Sequence, residues 1–304
     1  MRNSKALIIG SEGNIGKPLV RYLRSLGYEV LESDVKPAWR PNYLMADIRN
    51  PADLMPAFDW KPDVVFLLGA MVSRVTCEQA ASLAIDVNLS GTQNVLNLTK
   101  RAGARLVYFS TSEVYGPDIE NMSEEGNPRP NNRYGLSKLL SESLIEYEVK
   151  QHGLKAVTLR PFMMYDEEED LGDHRSAMIR FATNLALKKP IEVHEGSARG
   201  WFHVSDALRS IEAAAHLDEY SIINIGSPDI RPVSELAELI RKTYGVSKEL
   251  IQVIDLPSRM TLAKRPTLDR QEKLLGVVPK VSLEEGVERV CARTLQRLVN
   301  SGLL

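Results

Sequence analysis

The sequence predicts an α/β fold: a doubly wound parallel sheet with a smaller C-terminal lobe that would bind a substrate. Three observations carry that expectation. Short β-branched runs, apolar throughout, alternate with longer helical patterns in the first half of the chain, as parallel strands covered on both faces must. The spacing Gly10-x-x-Gly13-x-x-Gly16 falls between the first such run and the first helical one. After about Arg160 proline, glycine and acidic clusters become denser and the elements shorter.

The run Lys5–Ile9 reads as the first strand and 16–26 as the first helix. Residues 29–31 form the next strand, and 64–68 a strand apolar at every position. A helix over 82–101 is followed by a strand at 105–110, a helix at 134–152 and a strand at 155–159. Right-handed crossovers between such strands wind a sheet in both directions. Ile222–Ile225 reads as one more buried strand, returning to that sheet from the second lobe. Ser234 is expected to cap a helix ending at Tyr244. Ser282-Leu-Glu-Glu285 fits a capping box that opens a last helix reaching Leu298. The expected division is 1–161 for a dinucleotide-binding domain and 162–304 for the substrate-binding lobe.

Composition narrows the function classes. The 304 residues carry 38 Lys plus Arg against 40 Asp plus Glu, a formal charge of −2. That balance gives no reason to expect a nucleic acid or an anionic membrane as partner. With 43% hydrophobic and 26% charged residues, a chain dominated by disorder is excluded. The longest apolar run, 64–72, falls well short of the ~20 residues that cross a bilayer. The N-terminus enters a strand with no signal-peptide core. Cys77 and Cys291 are too few for a disulfide framework or a closed zinc site, so no metal and a reducing cytoplasm are expected.

The stretch Gly10-Ser-Glu-Gly13-Asn14-Ile15-Gly16 supplies what a dinucleotide needs. Glycine gives the turn its dihedral freedom, and missing side chains let a pyrophosphate approach the backbone and the helix N-terminus. Asp34 follows 24 residues after Gly10, at a strand end. An acid there accepts hydrogen bonds from the ribose hydroxyls and repels a 2′-phosphate, which favours NAD over NADP. Lys36 and Arg40, close by, keep NADP open as the lesser alternative.

Tyr134 and Lys138 stand at i and i+4, on one helix face. A phenol titrates near 10, so it is a poor base at neutral pH. A lysine ammonium beside it, with the positive nicotinamide ring, would stabilise the phenolate and let it take a proton from a sugar hydroxyl. Thr111, in Ser110-Thr111-Ser112 at the end of the preceding strand, can hydrogen-bond the same hydroxyl.

With these residues in place the chain resembles an extended short-chain dehydrogenase/reductase of the NAD-dependent nucleotide-sugar epimerase/dehydratase family, over nearly its whole length. Gly10–Gly16 matches the family's glycine turn. Asp47-Ile48 resembles the pair that contacts adenine, and Leu68-Gly69-Ala70 the segment that lines the cofactor. Asn88, in Asn-Leu-Ser-Gly-Thr, stands 19 residues after Gly69, as in the family. Phe109-Ser-Thr-Ser-Glu-Val-Tyr-Gly116 places Thr111 as the catalytic hydroxyl and Ser112 beside the substrate. Arg199-Gly-Trp-Phe-His-Val-Ser-Asp206 resembles the stretch whose arginine meets a diphosphate. Leu274-Leu-Gly276, Pro279 and Leu283-Glu-Glu-Gly286 resemble the C-terminal signature. The resemblance implies a Rossmann-type fold, bound NAD, a nucleotide-diphosphate sugar as substrate and a homodimer formed through helices at about 84–102 and 134–152. For that interface it offers Leu89, Val95, Leu96, Leu139, Leu140, Leu144 and Ile145.

Two departures bear on the sugar. Met163 stands where the family commonly has a substrate-holding asparagine, and Asp166 where it has glycine. Asp166, Glu167, Glu168, Glu169, Asp170 and Asp173 then form an acidic loop, which is either a solvated loop or the wall of an unusual sugar pocket. Gly200 replaces an aspartate, a change expected to be tolerable. Oxidation at C4 is implied, and the ketone has several fates. Glu113 shares a face with Thr111 if the extended conformation persists, and can then be the base that removes the C5 proton. That favours a lyase: a 4,6-dehydratase ahead of a decarboxylase, because the acidic loop would repel a sugar carboxylate. An arginine at 199 argues weakly the other way. The alternatives are a 4-epimerase, a 4-ketosugar reductase that exchanges its coenzyme, and a dinucleotide sensor without turnover; retention of Thr111, Tyr134 and Lys138 together argues against the sensor.

Overall fold

The computed structural model describes residues 4–117, 121–172, 176–257 and 261–304. Its strands, in chain order, are β1 (Lys5–Ile9), β2 (Glu29–Asp34), β3 (Tyr43–Met45), β4 (Val64–Leu67), β5 (Arg105–Phe109), β6 (Ala156–Pro161), β7 (Met164–Tyr165), β8 (Ile191–His194), β9 (Ala198–Gly200), β10 (Phe202–His203), β11 (Ile222–Ile225), β12 (Ile230–Pro232) and β13 (Ile251–Ile254). Seven of them form one sheet in the order β11-β6-β5-β4-β1-β2-β3, with every neighbouring pair parallel. This is the Rossmann-type doubly wound sheet that the sequence predicts.

The helices are α1 (Gly16–Ser25), α2 (Pro51–Asp59), α3 (Arg74–Gln79), α4 (Ala81–Ile85), α5 (Gly91–Ala102), α6 (Arg133–His152), α7 (Ala177–Ala186), α8 (Val204–Ala214), α9 (Val233–Tyr244), α10 (Asp269–Leu275) and α11 (Leu283–Asn300). Side chains along a strand alternate between faces, so each strand feeds two cores. Ala6 and Ile8 of β1 pack with Leu19, Leu23 and Ile211 on one face. Leu7 and Ile9 pack with Leu54, Leu96 and Ile145 on the other. Both faces are dry, which is why the strands are apolar at consecutive positions. A third core unites α7, α9 and α11 through Phe181, Leu236, Ile240, Val287 and Val290.

Several local expectations change. The helix expected over 82–101 stays helical throughout but carries a π-helical turn over Asp86–Ser90 between α4 and α5. β2 runs on to Asp34, and β3, α2 and α3 have no counterpart in the sequence reading. Ser234 does not cap α9: the cap position is Pro232, two residues earlier, and no side chain bonds there. Ser282 does cap α11, accepting the amide of Glu285 at 3.2 Å.

Candidate active site

The ends of β1, β2 and β4 open into a cavity of about 730 Å³. Its floor is the glycine turn. Gly10 has φ +92°, and a Cβ there would lie 2.5 Å from the amide nitrogen of Gly69. A Cβ at Gly16 would lie 2.2 Å from the carbonyl oxygen of Gly10. Only glycine lets these backbones come so close. Gly13, Asn14 and Ile15 carry the wall into α1. Leu68, Gly69 and Ala70 form the facing wall, where the Gly69 amide donates to Ile9 O at 2.9 Å. A cradle that any Cβ would fill, ending at a helix N-terminus, fits the pyrophosphate of a dinucleotide.

Asp34 stands in that cavity at the end of β2. Its Oδ2 accepts the Glu12 amide at 2.9 Å and its Oδ1 the Lys36 amide at 3.0 Å, which fixes the carboxylate in place. Arg40 is committed elsewhere, to Glu12 and to the buried Glu32. Of the two cations that favour NADP, Lys36 alone lines the cavity. Asp47 and Ile48 close the far end. The Asp47 carboxylate faces Arg49, with Nε at 2.9 Å and Nη2 at 2.5 Å, and those hydrogen bonds hold it below the usual range. Ile48 rests on Gly91, where a Cβ would come within 2.6 Å of it. Asn88 does not line the cavity. Its Oδ1 accepts the Met71 amide at 2.8 Å, and its Nδ2 donates to Met71 O at 3.0 Å and to Ser137 Oγ at 2.9 Å.

Tyr134 and Lys138 line the same cavity from α6. Asn132 caps that helix, accepting the Gly135 amide at 2.9 Å. A Cβ at Gly135 would lie 2.5 Å from Glu113 O, so the helix start presses on the turn that carries Thr111. Burial pushes the Tyr134 phenol up to about 12; the Thr111 hydroxyl, its hydrogen-bond partner, pulls it back, and Glu113 pushes it further up. Burial pulls Lys138 down to about 7, against the pull of Glu142. Its Nζ lies 4.2 Å from the centre of the Tyr108 ring. The sequence reading has the lysine ammonium and the nicotinamide ring together lowering the phenol. In the coenzyme-free chain burial is the largest influence on both groups.

The condition placed on Glu113 is not met. The extended conformation ends at Thr111, and Ser112–Tyr115 form a 3₁₀ turn that Thr111 caps, its Oγ1 accepting the Glu113 amide at 3.2 Å. The Glu113 carboxylate is enclosed instead. Lys264 Nζ donates to Oε1 at 2.5 Å, Asn132 Nδ2 to Oε2 at 2.9 Å, and Arg74 lies 3.6 Å from Oε2. Burial pushes this carboxyl up, but Lys264 and Arg74 outweigh it and hold it below the ordinary range. Lys264 also donates to Ser112 Oγ at 3.0 Å. Neither Lys264 nor Arg74 belongs to any motif in the sequence.

Arg199 donates to the carbonyls of Ala198, Leu262 and Thr261 at 2.7, 2.8 and 2.7 Å. It braces the segment that carries Lys264, and its charge acts on Glu113 and Arg74. Met163 does not line the cavity; its backbone is left-handed at φ +37°, and its neighbour Met164 forms the wall. Gly200 is more than tolerated, since a Cβ would lie 2.4 Å from Ser227 O. The acidic loop is turned away from the cavity. Glu167 pairs with His203 Nε2 at 2.7 Å, Glu168 with Arg293 at 2.8 Å, and Glu169 accepts the Ser176 amide and hydroxyl at 3.0 and 2.8 Å. Arg297 donates to Glu169 O at 2.7 Å and lies 4.0 Å from Asp170. Asp173 lies outside the described residues. The loop is therefore tied to β10, to the cap of α7 and to α11, and of its described acids Glu168 and Asp170 meet arginines.

The sequence model of the NAD dependent epimerase/dehydratase family matches residues 6–226. UDP-glucuronic acid decarboxylase 1 of Arabidopsis thaliana is 28% identical, over 97% of this chain and 71% of its own length. Among solved structures, the UDP-glucose 4-epimerase of Thermotoga maritima superposes with a TM-score of 0.90 at 23% identity, covering 97% of this chain and 99% of that one. The UDP-glucose 4-epimerase of Thermus thermophilus, in complex with NAD, gives 0.85 at 25% identity over 96% and 99%. No helix of the described residues is long and apolar enough to cross a membrane.

Proposed function

The chain belongs to the NAD-dependent epimerase/dehydratase family, and on that premise we propose that it oxidises a nucleotide-diphosphate sugar acid at C4 and then releases the C6 carboxylate as CO₂. The enclosure of Glu113 carries this reading. A dehydratase needs a free base for the C5 proton, whereas both oxygens of this carboxylate face Lys264, Asn132 and Arg74. Three cations, Lys264, Arg74 and Arg199, act around that one carboxylate, and such a surplus favours a substrate with an added negative charge. The name of the Arabidopsis relative points the same way.

Gly10, Gly13, Asn14, Ile15, Gly16 and Asp34, with Asp47, Ile48, Leu68, Gly69 and Ala70 as walls, would hold NAD, which would supply reversible hydride exchange at C4, taken up from the alcohol before the carboxylate leaves and returned to the ketone, with the Tyr134 proton, once C5 is protonated. Thr111 and Tyr134 bind the C4 hydroxyl, and the Tyr134 phenolate takes its proton. The ketone makes C6 a β-carboxylate. The C5–C6 bond breaks, its electron pair enters the enolate over C5, C4 and O4, and CO₂ leaves. Lys264 and the Ser112 hydroxyl, 3.0 Å apart, carry the protons available to C5. Ser112, beside Lys264, would face the substrate from the same side, with Arg199 holding the Lys264 segment in place. Incubation with a panel of nucleotide sugars, read by product mass, tests the reading. Loss of CO₂ from a uronate supports it; loss of water, or an unchanged mass with inverted C4, overturns it.

The same reading includes a cytoplasmic homodimer. Cys77 and Cys291 are buried free thiols, which suits a reducing compartment. Of the residues first considered for the interface, Val95, Leu96 and Ile145 lie in the core beneath the sheet. Leu140 remains exposed on α6, joined by Leu136 and Tyr147. Light scattering at micromolar concentration reads the dimer directly, and a monomer there removes it.

A further inference from the structure

Tyr134, Lys138 and Glu142 recur every four residues, so they share one stripe of α6. Lys138 and Glu142 are each 3% exposed. Arg160 of β6 grips the Glu142 carboxylate at both oxygens, Nε to Oε1 at 3.0 Å and Nη2 to Oε2 at 2.6 Å. Oε1 also accepts a hydrogen bond from Ser110, a residue of the cavity wall. Arg160 Nη1 continues to Tyr115 Oη at 2.9 Å, which donates to Asn224 Oδ1 at 2.8 Å. A buried ion pair is commonly no more stable than apolar residues of the same volume, so the fold alone does not call for this one. Its place one helical turn below the lysine does.

We propose that Glu142 is a positioning residue for the redox step, acting through Lys138 as the buried counter-charge of its ammonium and through Ser110, whose hydroxyl it fixes in the cavity wall. The groups around Lys138 are few. Tyr108 of β5 presents its ring at 4.2 Å, Tyr134 and Glu142 come from α6, and Arg160 of β6 stands behind Glu142. Among them Glu142 is the negative one. Burial opposes the ammonium and Glu142 supports it, which leaves Lys138 at about 7.

Glu142→Gln keeps the shape and removes the charge. A titration of the labelled Lys138 side chain by NMR, in protein without substrate, reads the lysine independently of which sugar the enzyme takes. The midpoint is expected to fall by about one pH unit or more, and by less in Glu142→Asp. The double variant Glu142→Met with Arg160→Met should fold as well as the parent, because apolar residues replace such pairs without loss, and should show the same direction of shift. It removes the contribution of an unpaired Arg160. In turnover, the decline of C4 oxidation with rising pH should move down by the same interval. An unmoved midpoint in either folded variant overturns the proposal. If Glu142→Gln does not fold, the double variant carries the same reading.

Discussion

The Lys264 ammonium lies 2.5 Å from Glu113 Oε1, across 151 positions of the chain. It ties the last quarter of the chain to the turn that Thr111 caps, so the charge around Glu113 depends on residues far apart in sequence. Lys264→Met is expected to lower turnover of a uronate substrate by ~10²-fold or more, the scale of a lost proton donor. Glu113 should then rise into the ordinary carboxyl range or above, because burial is no longer outweighed. Measured kcat with a nucleotide-diphosphate uronate checks it; a rise in KM with unchanged kcat would assign the lysine to binding alone.

Glu113→Gln separates the lyase routes. If CO₂ leaves without a C5 base, the variant should be slowed but should still release CO₂, with no build-up of NADH. An enzyme stalled with bound NADH, and with deuterium exchange at C5 abolished, would show that Glu113 is the base and the reaction a dehydration.

NAD should bind more tightly than NADP, because the Asp34 carboxylate is held in the cavity and Arg40 is committed to Glu12 and Glu32. Calorimetry on coenzyme-free protein tests this. Asp34→Ser should narrow the preference, and equal affinity in the parent would remove Asp34 from the ribose site.

Tyr134→Phe should lose ~10²–10⁴-fold in rate while keeping the fold and the affinity for NAD. A variant that retains a tenth of the parent rate means that another group takes the proton. In the coenzyme-free protein the phenol at about 12 should stay neutral up to strongly alkaline pH. Tyrosinate absorbance followed against the variant measures that.

Met163 holds φ at +37°, a region where a β-carbon costs about 1–2 kcal/mol and which asparagine tolerates better. Met163→Asn should raise the denaturation midpoint. A lower one would mean that the methionine side chain contributes more than its backbone costs.

Glu167 is held at about 2, chiefly by its hydrogen bond to His203. A folded value below the unfolded one stabilises the protein above the unfolded pKa, and that contribution fades as pH falls from about 4.5 toward 2. Glu167→Gln should be less stable than the parent at neutral pH and should lose less on acidification, as urea titrations across that range will show.

What could be read from the sequence was local. The glycine turn is a steric requirement written in consecutive residues, and the Tyr134–Lys138 pair is a helical spacing. The apolar strands declare themselves because both faces of the sheet are dry. β3 is three residues long and carries no period. The π-helical turn over Asp86–Ser90 leaves the chain helical on both sides, so no local signal marks it. Lys264 and Arg74 could not be found, because a charge contact between distant segments has no spacing to reveal it. The partners of the acidic loop are hidden for the same reason: Arg293, which meets Glu168, stands 125 residues further on.

Asn88 works as a caliper. One amide grips the backbone amide and carbonyl of Met71 on the cavity wall and the Ser137 hydroxyl on α6, so a single side chain ties the cavity wall to the helix that carries Tyr134. Any change that lengthens or shortens that jaw moves both surfaces at once. Coenzyme affinity and catalytic rate should therefore vary together across a series of substitutions at this position, and a homologue that needs a wider gap for a bulkier sugar has one dimension to alter.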